Sequence, residues 1–152
     1  MRLLLDTPTL VWWWTDDPRL PARARAAIAD PGHTVFVSAV SGWEITTRHR
    51  SGDWPDVDRL IAEYNALLRR SRFQALAISM EHAHRAGALP GMHRDPFDRM
   101  LIAQCGLEAL PIVTANPVFA AYGVEVIWDG AARRPRPVIL ERGVSEAACV
   151  MG

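Results

Sequence analysis

Short apolar runs alternate with stretches of helical periodicity along most of this 152-residue chain. Runs of four to six mainly apolar residues predict buried strands, at positions 2–5, 34–37, 73–78, 110–114 and 124–128. Helices are predicted between them, at 7–14, 21–29, 38–51, 56–70, 79–86, 95–105 and 117–122. Strands that alternate with helices are typical of an α/β fold with a mostly parallel sheet. We therefore predict a three-layer structure in which helices cover both faces of a central sheet.

The periodic pattern ends near residue 129. Beyond it the chain enters an arginine- and proline-rich stretch at 133–137, followed by a weakly patterned end. A chain of 152 residues is also about the length of one ordinary domain. We predict a single domain over residues 1–129 and a flexible tail over residues 130–152.

Composition narrows the class of protein. Apolar residues make up 49% of the chain and charged residues 22%, which is ordinary for a soluble globular protein. No apolar run approaches the roughly 18–20 residues that span a bilayer, and the N-terminus is too short in apolar residues for a signal peptide. We predict a cytoplasmic protein without a membrane partner. The two cysteines, Cys105 and Cys149, are not expected to form a disulfide, and Cys-His clusters typical of structural zinc are absent.

Candidate chemistry lies at four positions where a strand gives way to a loop or helix, or just inside such a helix. These are Asp6, Glu44 and Asp98, with Asn116 as a neutral counterpart in a similar setting. In open α/β folds the carboxyl ends of the strands form the ligand site. Several carboxylates gathered there repel one another unless a cation lies between them, and hard oxygen ligands suit Mg²⁺ or Mn²⁺. The pattern indicates a metal-dependent enzyme that acts on phosphates.

Each acid also has an ordinary structural explanation. Asp95 before Pro96 is a typical helix N-cap, Asp98 three residues later resembles a capping box, and Asn116 before Pro117 is another capping pair. Asp6 is harder to explain as a cap, because Thr7 is available for that role and a carboxylate at the end of a buried strand is costly. Glu44 lies beside the apolar face of a helix. Taken together, the acids favour a metal site over independent caps.

Four blocks of sequence resemble PIN-domain ribonucleases, and VapC-type toxins of bacterial toxin–antitoxin pairs in particular. The blocks are LLLDTPTLVWW at 3–13, VSAVSGWEI at 37–45, HRDPFDRMLIAQ at 93–104 and VTANPVFAAYGV at 113–124. They occur in the family's order, and the resemblance covers about residues 2–128. It implies a Mg²⁺-dependent endoribonuclease (or one that uses Mn²⁺), usually a homodimer, held inactive by a cognate antitoxin protein.

The resemblance also assigns roles to particular residues. It implies an acidic centre formed by Asp6, Glu44 and Asp98, with Asp95 as an additional acid of this subgroup. Asp6 and Asp98 are the implied metal ligands.

The chain departs from the family pattern at two positions. Pro8 stands where a histidine is frequent, and Asn116 stands where the family usually has a fourth Asp. An asparagine carbonyl can still bind a hard cation, but the lost charge is expected to weaken metal binding. The alternative function is therefore a degenerate PIN domain that binds antitoxin or RNA without cleaving. A metal-dependent phosphatase or DNase with the same acids is a third possibility.

Arginines flank the acidic positions. Arg48, Arg94 and Arg99 are candidates for contacts with RNA phosphates, because guanidinium groups bind phosphate oxygens in pairs. The alternative is that they form intramolecular ion pairs or a solvated helix face. Arg94 and Arg99 in particular could reduce repulsion between the neighbouring acids.

Overall fold

The computed structural model describes residues 1–129, and the predicted tail over 130–152 lies outside the described residues. The strands are β1 Arg2–Leu5, β2 Thr34–Ser38, β3 Gln74–Leu76, β4 Ile112–Val113 and β5 Val126–Ile127. The helices are α1 Thr7–Trp14, α2 Ala22–Ala29, α3 Ala39–Ser51, α4 Asp58–Ala62, α5 Tyr64–Ser71, α6 Met80–Ala88, α7 Pro96–Glu108 and α8 Val118–Ala121, and a short 3₁₀ turn spans Pro55–Val57.

The five strands form one sheet in the order β3-β2-β1-β4-β5, and every neighbouring pair is parallel. The chain first builds the sheet outward from β1 through β2 to β3, and then returns to add β4 and β5 on the other side of β1. The strand order therefore reverses between β1 and β4, which is where ligands bind in open parallel sheets. The predicted α/β class and parallel sheet are confirmed.

Strand β1 shows why the sheet is covered on both faces. Its side chains alternate, so Leu3 and Leu5 enter one buried cluster while Leu4 enters the other. The first cluster includes Leu10 from α1, and the second includes Leu101 from α7. All three leucines of β1 are fully buried. Two helical layers thus enclose the sheet, as the continuous apolar runs predict.

Helix starts follow the sequence closely, with one correction. Ser38, the first residue of the helix predicted over 38–51, caps α3 by accepting a hydrogen bond from the Val40 N–H. The prediction that Thr7 caps α1 is wrong, because the Asp6 side chain accepts from the Thr9 N–H instead. The Thr7 hydroxyl is buried and donates to Ser41 Oγ, so it joins α1 to α3 rather than closing its own helix.

The single helix predicted over 56–70 is also wrong. A 3₁₀ turn precedes two short helices, α4 and α5, which are separated at Glu63 (φ −102°, ψ 11°). Both sides of the break keep apolar residues on the same core cluster: Leu60 is buried there, and Leu67 packs against it. The 3.6-residue periodicity reflects this shared buried face, so it does not reveal the break between the two helices.

The strands predicted over 73–78, 110–114 and 124–128 are shorter in the structure, because a strand extends only as far as its neighbours pair with it. Among residues 1–129, no helix is long and apolar enough to cross a membrane.

Candidate functional site

The carboxyl end of β1 places Asp6 between two other strands. Leu5 aligns with Val37 on β2 and with Val113 on β4, and the Asp6 N–H donates to the Val113 carbonyl at 3.2 Å. Ser38, Asp6 and Thr114 therefore leave the sheet side by side. Helices α1 and α3 start directly after β1 and β2, so the site is assembled at the point where the strand order reverses.

Asp6 is a buried carboxylate, with 4% of its surface exposed. Its Oδ1 accepts the α1 capping bond from the Thr9 N–H at 3.0 Å, and its Oδ2 accepts from the Thr114 hydroxyl at 2.5 Å. Burial raises the pKa of Asp6 to about 6, even though the hydrogen bonds from Thr114 and Thr9 lower it and the charge of Asp98 raises it slightly. Within residues 1–129 no cation forms an ion pair with Asp6. The protein thus holds a desolvated carboxylate without a neutralising charge.

Asp98 lies in the first turn of α7, whose N-cap is Asp95. Two groups donate to the same oxygen of Asp98: His93 Nε2 at 3.0 Å and Asn116 Nδ2 at 3.3 Å from Oδ2. Burial raises the pKa of Asp98, the hydrogen bond from His93 lowers it, and the charges of Asp95 and Glu44 raise it further. The other oxygen, Oδ1, accepts no hydrogen bond from the described residues. Asp98 is therefore fixed at one oxygen and free at the other.

Asn116 takes a defined orientation because both ends of its amide are bound. Its Oδ1 accepts from the Val118 N–H at 3.1 Å at the start of α8, so the NH₂ group must face Asp98. The carbonyl that could have bound a cation is thus engaged by the backbone, and the amide offers Asp98 a donor instead. Asn116 thus closes the turn before α8, whose N-cap residue is Pro117, and it also contacts Asp98.

We expect Asn116→Asp to strengthen metal binding and to destabilise the metal-free protein. An oxygen would replace Nδ2, 3.3 Å from Asp98 Oδ2, and two adjacent carboxylates repel each other unless a cation joins them. A gain of about tenfold in Mn²⁺ affinity corresponds to about 1.4 kcal/mol. Calorimetric titration with Mn²⁺ and urea unfolding in EDTA would measure the two effects. The matched control is Asn65→Asp on the exposed face of α5, and equal Mn²⁺ affinities in the two variants would contradict the expectation.

Glu44 is buried on α3 and paired with an arginine one turn later. Arg48 Nε lies 2.7 Å from Glu44 Oε2, and its Nη2 lies 3.6 Å from Asp95 Oδ2. The guanidinium also lies over the Trp54 ring, 5.2 Å from its centroid. Arg48 therefore pairs with Glu44 and partly offsets the charge of Asp95, and the acids divide into a paired set and an unpaired set. Asp6 and Asp98 form the unpaired set, which has no arginine partner within residues 1–129; Asp98 contacts His93 instead.

The three arginines predicted to contact substrate have different environments. Arg48 is engaged as just described, and Arg99 donates to four backbone carbonyls of the segment before α7. Neither guanidinium is free for a phosphate in this arrangement. Arg94 is exposed and makes no hydrogen bond or ion pair with the rest of residues 1–129. Arg94 is thus the arginine that the geometry leaves available.

The four acids, Asn116 and Arg48 line one cleft of about 350 Å³. Its walls come from β1, α1, α3, α7 and the β4–α8 connection, and they comprise Asp6, Pro8, Trp12, Glu44, Arg48, Asp95, Asp98, Ala115, Asn116 and Pro117. All five predicted catalytic positions are present there. Pro8 lines the wall where the family pattern often has a histidine.

The donor set fits a hydrated divalent cation better than a closed metal cage. No group of three or more His, Cys, Asp or Glu side chains converges closely enough within residues 1–129 to hold a metal alone. Mg²⁺, however, keeps several waters and is commonly bound by one or two carboxylates. Asp6 and Asp98 offer two carboxylates with raised pKa values and, within residues 1–129, no ion-pair partner other than His93 on Asp98. The residues present therefore fit Mg²⁺ or Mn²⁺.

Comparison with protein families agrees with this geometry. The profile of the PIN domain matches residues 3–125, which includes every residue of the cleft. The chain belongs to the PIN-domain family. PIN domains are generally nucleases. No curated protein matches the chain in sequence.

Solved structures with the same fold include three toxin–antitoxin complexes. The PIN domain is similar to a chain of VapBC2 from Rickettsia felis bound to a promoter DNA fragment, with a TM-score of 0.62 and 17% identity over 85% of this chain and 100% of that one. DNA-bound VapBC from Salmonella typhimurium gives a TM-score of 0.57 and 20% identity over 83% and 96%. A toxin–antitoxin complex from Klebsiella pneumoniae gives 0.50 and 19% over 76% and 87%. These likenesses establish the fold.

Two residues that contact the acids of this PIN-domain site, Thr114 and His93, were not among the site residues predicted from the sequence. Thr114 accepts from the Asn116 N–H at 3.0 Å and donates to Asp6, so it joins the β4 end to the β1 end. Its signal was available, since a threonine that ends a buried strand beside an acidic strand end is placed to bond the carboxylate. His93 contacts Asp98 only because the preceding loop folds back, and five residues of separation do not predict that contact.

Proposed function

We propose that this PIN domain is a metal-dependent endoribonuclease and the toxin of a toxin–antitoxin pair. The observation that carries the proposal is the buried, unpaired Asp6 beside Asp98 at the point where the strand order reverses. A buried carboxylate without an ion-pair partner does not stabilise the fold. Its presence therefore indicates a site that binds a cation and a phosphate. The substrate class, RNA, and the choice of Mg²⁺ or Mn²⁺ come from the family resemblance.

In this proposal Asp6 and Asp98 hold the ion. Thr9 and Thr114 fix the Asp6 carboxylate from behind, and His93 and Asn116 fix Asp98 at Oδ2, so its Oδ1 is left for the cation. A bound Mg²⁺ or Mn²⁺ supplies Lewis-acid stabilisation of charge that develops on the scissile phosphate. Glu44 and Asp95 keep a negative field in the cleft while Arg48 limits their repulsion. The exposed Arg94 is the residue we assign to the RNA backbone.

The proposed partners follow the structural neighbours and the resemblance. A cognate antitoxin protein would hold the nuclease inactive, as expected for the toxin of such a pair, and the active form would be a cytoplasmic homodimer. Co-purification of the chain with the product of an adjacent gene and light scattering of the isolated chain would test these two assignments separately.

The second candidate is a PIN domain that binds antitoxin or RNA without cleaving. The orientation of Asn116 favours it, because the amide gives Asp98 a neutral donor in place of a fourth acid that would demand a cation. This candidate keeps the fold and the partners but predicts weak metal binding and no cleavage.

Cleavage of a mixed RNA panel with Mg²⁺, Mn²⁺ or EDTA separates the candidates. We expect cleavage that requires the metal and that falls at least about 100-fold in Asp98→Asn, equivalent to about 2.7 kcal/mol of transition-state stabilisation. Asp56→Asn, at an exposed position, is the matched control and should cleave like the wild type. Cleavage that persists in EDTA or in Asp98→Asn would contradict the proposal, and a DNA and phosphomonoester panel would expose the DNase or phosphatase alternative.

A further inference from the structure

The Arg99 guanidinium binds backbone carbonyls of residues 86–93, the segment that leads into the site. Arg99 Nε donates to the Ala86 carbonyl at 3.0 Å, Nη1 to His93 at 3.0 Å, and Nη2 to Gly87 at 3.2 Å and Leu89 at 2.7 Å. These bonds use four of the five N–H donors of an arginine. They connect the last turns of α6 and the following loop to the first turn of α7.

The same segment has a second anchor from the end of α8. The Tyr122 hydroxyl donates to the Pro90 carbonyl at 2.6 Å, and Gly91 takes a positive φ of 90° beside it. A Cβ at Gly91 would lie 3.0 Å from the Tyr122 oxygen, so the chain passes as close as glycine allows. The segment is therefore held at both sides of its turn.

The last residue held by Arg99 is the one that touches the acidic centre. Arg99 binds the His93 carbonyl, while the His93 ring reaches Asp98 Oδ2 at 3.0 Å. Arg99 and Asp98 are adjacent in the first turn of α7. Two hydrogen bonds thus connect Arg99 to the neighbouring Asp98 carboxylate through His93: one to the His93 carbonyl and one from its ring.

We propose that Arg99 is a positioning residue: it holds residues 86–93 so that His93 fixes the Asp98 carboxylate toward the cleft. The catalytic part of this inference rests on the proposed nuclease function. The planar fork of arginine reaches carbonyls spread over eight residues, whereas the three donors of a lysine radiate from one nitrogen. The assignment replaces the direct RNA contact considered from the sequence, because a phosphate would have to compete with four carbonyls.

The test compares Arg99→Lys, His93→Ala and the double variant, with Arg85→Lys on the exposed face of α6 as the matched control. We expect Arg99→Lys to lower both Mn²⁺ affinity and kcat by about 10- to 100-fold, as for other residues that orient metal ligands. KM for RNA should stay nearly unchanged. Because Arg99 acts through His93, the double variant should be no worse than His93→Ala alone. Tyr122→Phe should shift the same quantities in the same direction by less.

A readout independent of metal and RNA keeps the inference separate from the nuclease assignment. The ¹⁵N–¹H spectrum should contain a protected His93 Nε2–H signal, identified by its loss in His93→Ala, that is retained in Arg85→Lys and lost in Arg99→Lys. Retention of that signal in Arg99→Lys would overturn the proposal. So would a raised KM with unchanged kcat and Mn²⁺ affinity, which is the result expected of a direct phosphate contact. If no RNA is cleaved by any form, the spectrum and the Mn²⁺ titration still decide.

Discussion

Replacing Asp6 with asparagine is expected to stabilise the metal-free protein at neutral pH and to abolish its metal-dependent cleavage. Asp6 ionises in the folded state with a pKa of about 6, raised from 3.8 chiefly by burial. That difference corresponds to about 3 kcal/mol by which ionised Asp6 weakens the fold at pH 7. Asparagine can still accept the Thr9 capping bond but carries no charge. We expect a gain of up to about 3 kcal/mol in unfolding free energy, with cleavage reduced by about 1000-fold or more.

The sign of the pH dependence follows from the same pKa. A carboxyl whose pKa is higher in the folded state contributes its stabilisation fully below the unfolded pKa, here 3.8, and loses it as pH rises through about 6. The raised pKa of Asp98 acts in the same direction. In EDTA, these two acids should therefore make the wild type more stable at pH 5 than at pH 7.5. Mg²⁺ should raise the melting temperature much more at pH 7.5 than at pH 5, because it binds the ionised carboxylates.

Urea unfolding at pH 5 and pH 7.5, with Mg²⁺ and with EDTA, would measure these effects. Asp56→Asn is the control, since it removes one exposed carboxylate from the 3₁₀ turn and leaves the site intact. Asp6→Asn should lose most of the difference between the two pH values and most of the response to Mg²⁺. A variant less stable than the wild type at pH 7.5 in EDTA would show that the ionised form of Asp6 supports the fold, contrary to this expectation.

Replacing Arg48 with glutamine is expected to cost about 3 kcal/mol of stability, at the lower end of the range for breaking a buried ion pair. The Glu44 side chain is 5% exposed and its paired Arg48 is 30% exposed, so the substitution leaves a desolvated carboxylate without its cation. The expected loss lies at the lower end of that range because the Arg48 guanidinium is partly exposed to water. A second change, Glu44→Gln, removes that charge and should recover most of the loss in the double variant.

Chemical denaturation of the single and double variants would test this coupling as a double-mutant cycle. Arg59→Gln is a matched control, because Arg59 and Glu63 form a pair with the same spacing at 83% and 39% exposure. Exposed pairs of this kind contribute about 0–1 kcal/mol. A loss in Arg48→Gln no larger than that of the control would mean that Glu44 does not depend on Arg48, and that the division of the acids into paired and unpaired sets is wrong.

The positions of the acidic groups could be predicted because they follow from local pattern. Apolar runs locate β1, β2 and β4, a parallel sheet brings their carboxyl ends together, and Asp6 and Asn116 follow two of those ends. The N-caps at Ser38 and Asp95 could be predicted for a similar reason, since a cap bonds backbone N–H groups two or three residues away. These inferences depend on short distances along the chain.

The roles within the site could not be predicted in the same way. The sequence did not show that Glu44 is paired with Arg48, nor that Asp98 faces an amide and an imidazole. Arg99 was a candidate for a phosphate contact or for an intramolecular ion pair, yet it binds four backbone carbonyls. Asp6 rather than Thr7 caps α1, and the Thr7 hydroxyl instead donates to Ser41 Oγ on the neighbouring helix α3.

The α/β class, the parallel sheet and the gathering of acids at one edge follow from the sequence, because hydrophobic periodicity and strand direction decide those features. Which acids lack an ion-pair partner is a property of the folded chain. That property depends on the burial of Asp6 and on which side chain lies within a few ångströms of each oxygen. Such distances are set by packing between α3, α7 and the loop before α7, and a contact such as that of His93 with Asp98 has no local signal in the sequence.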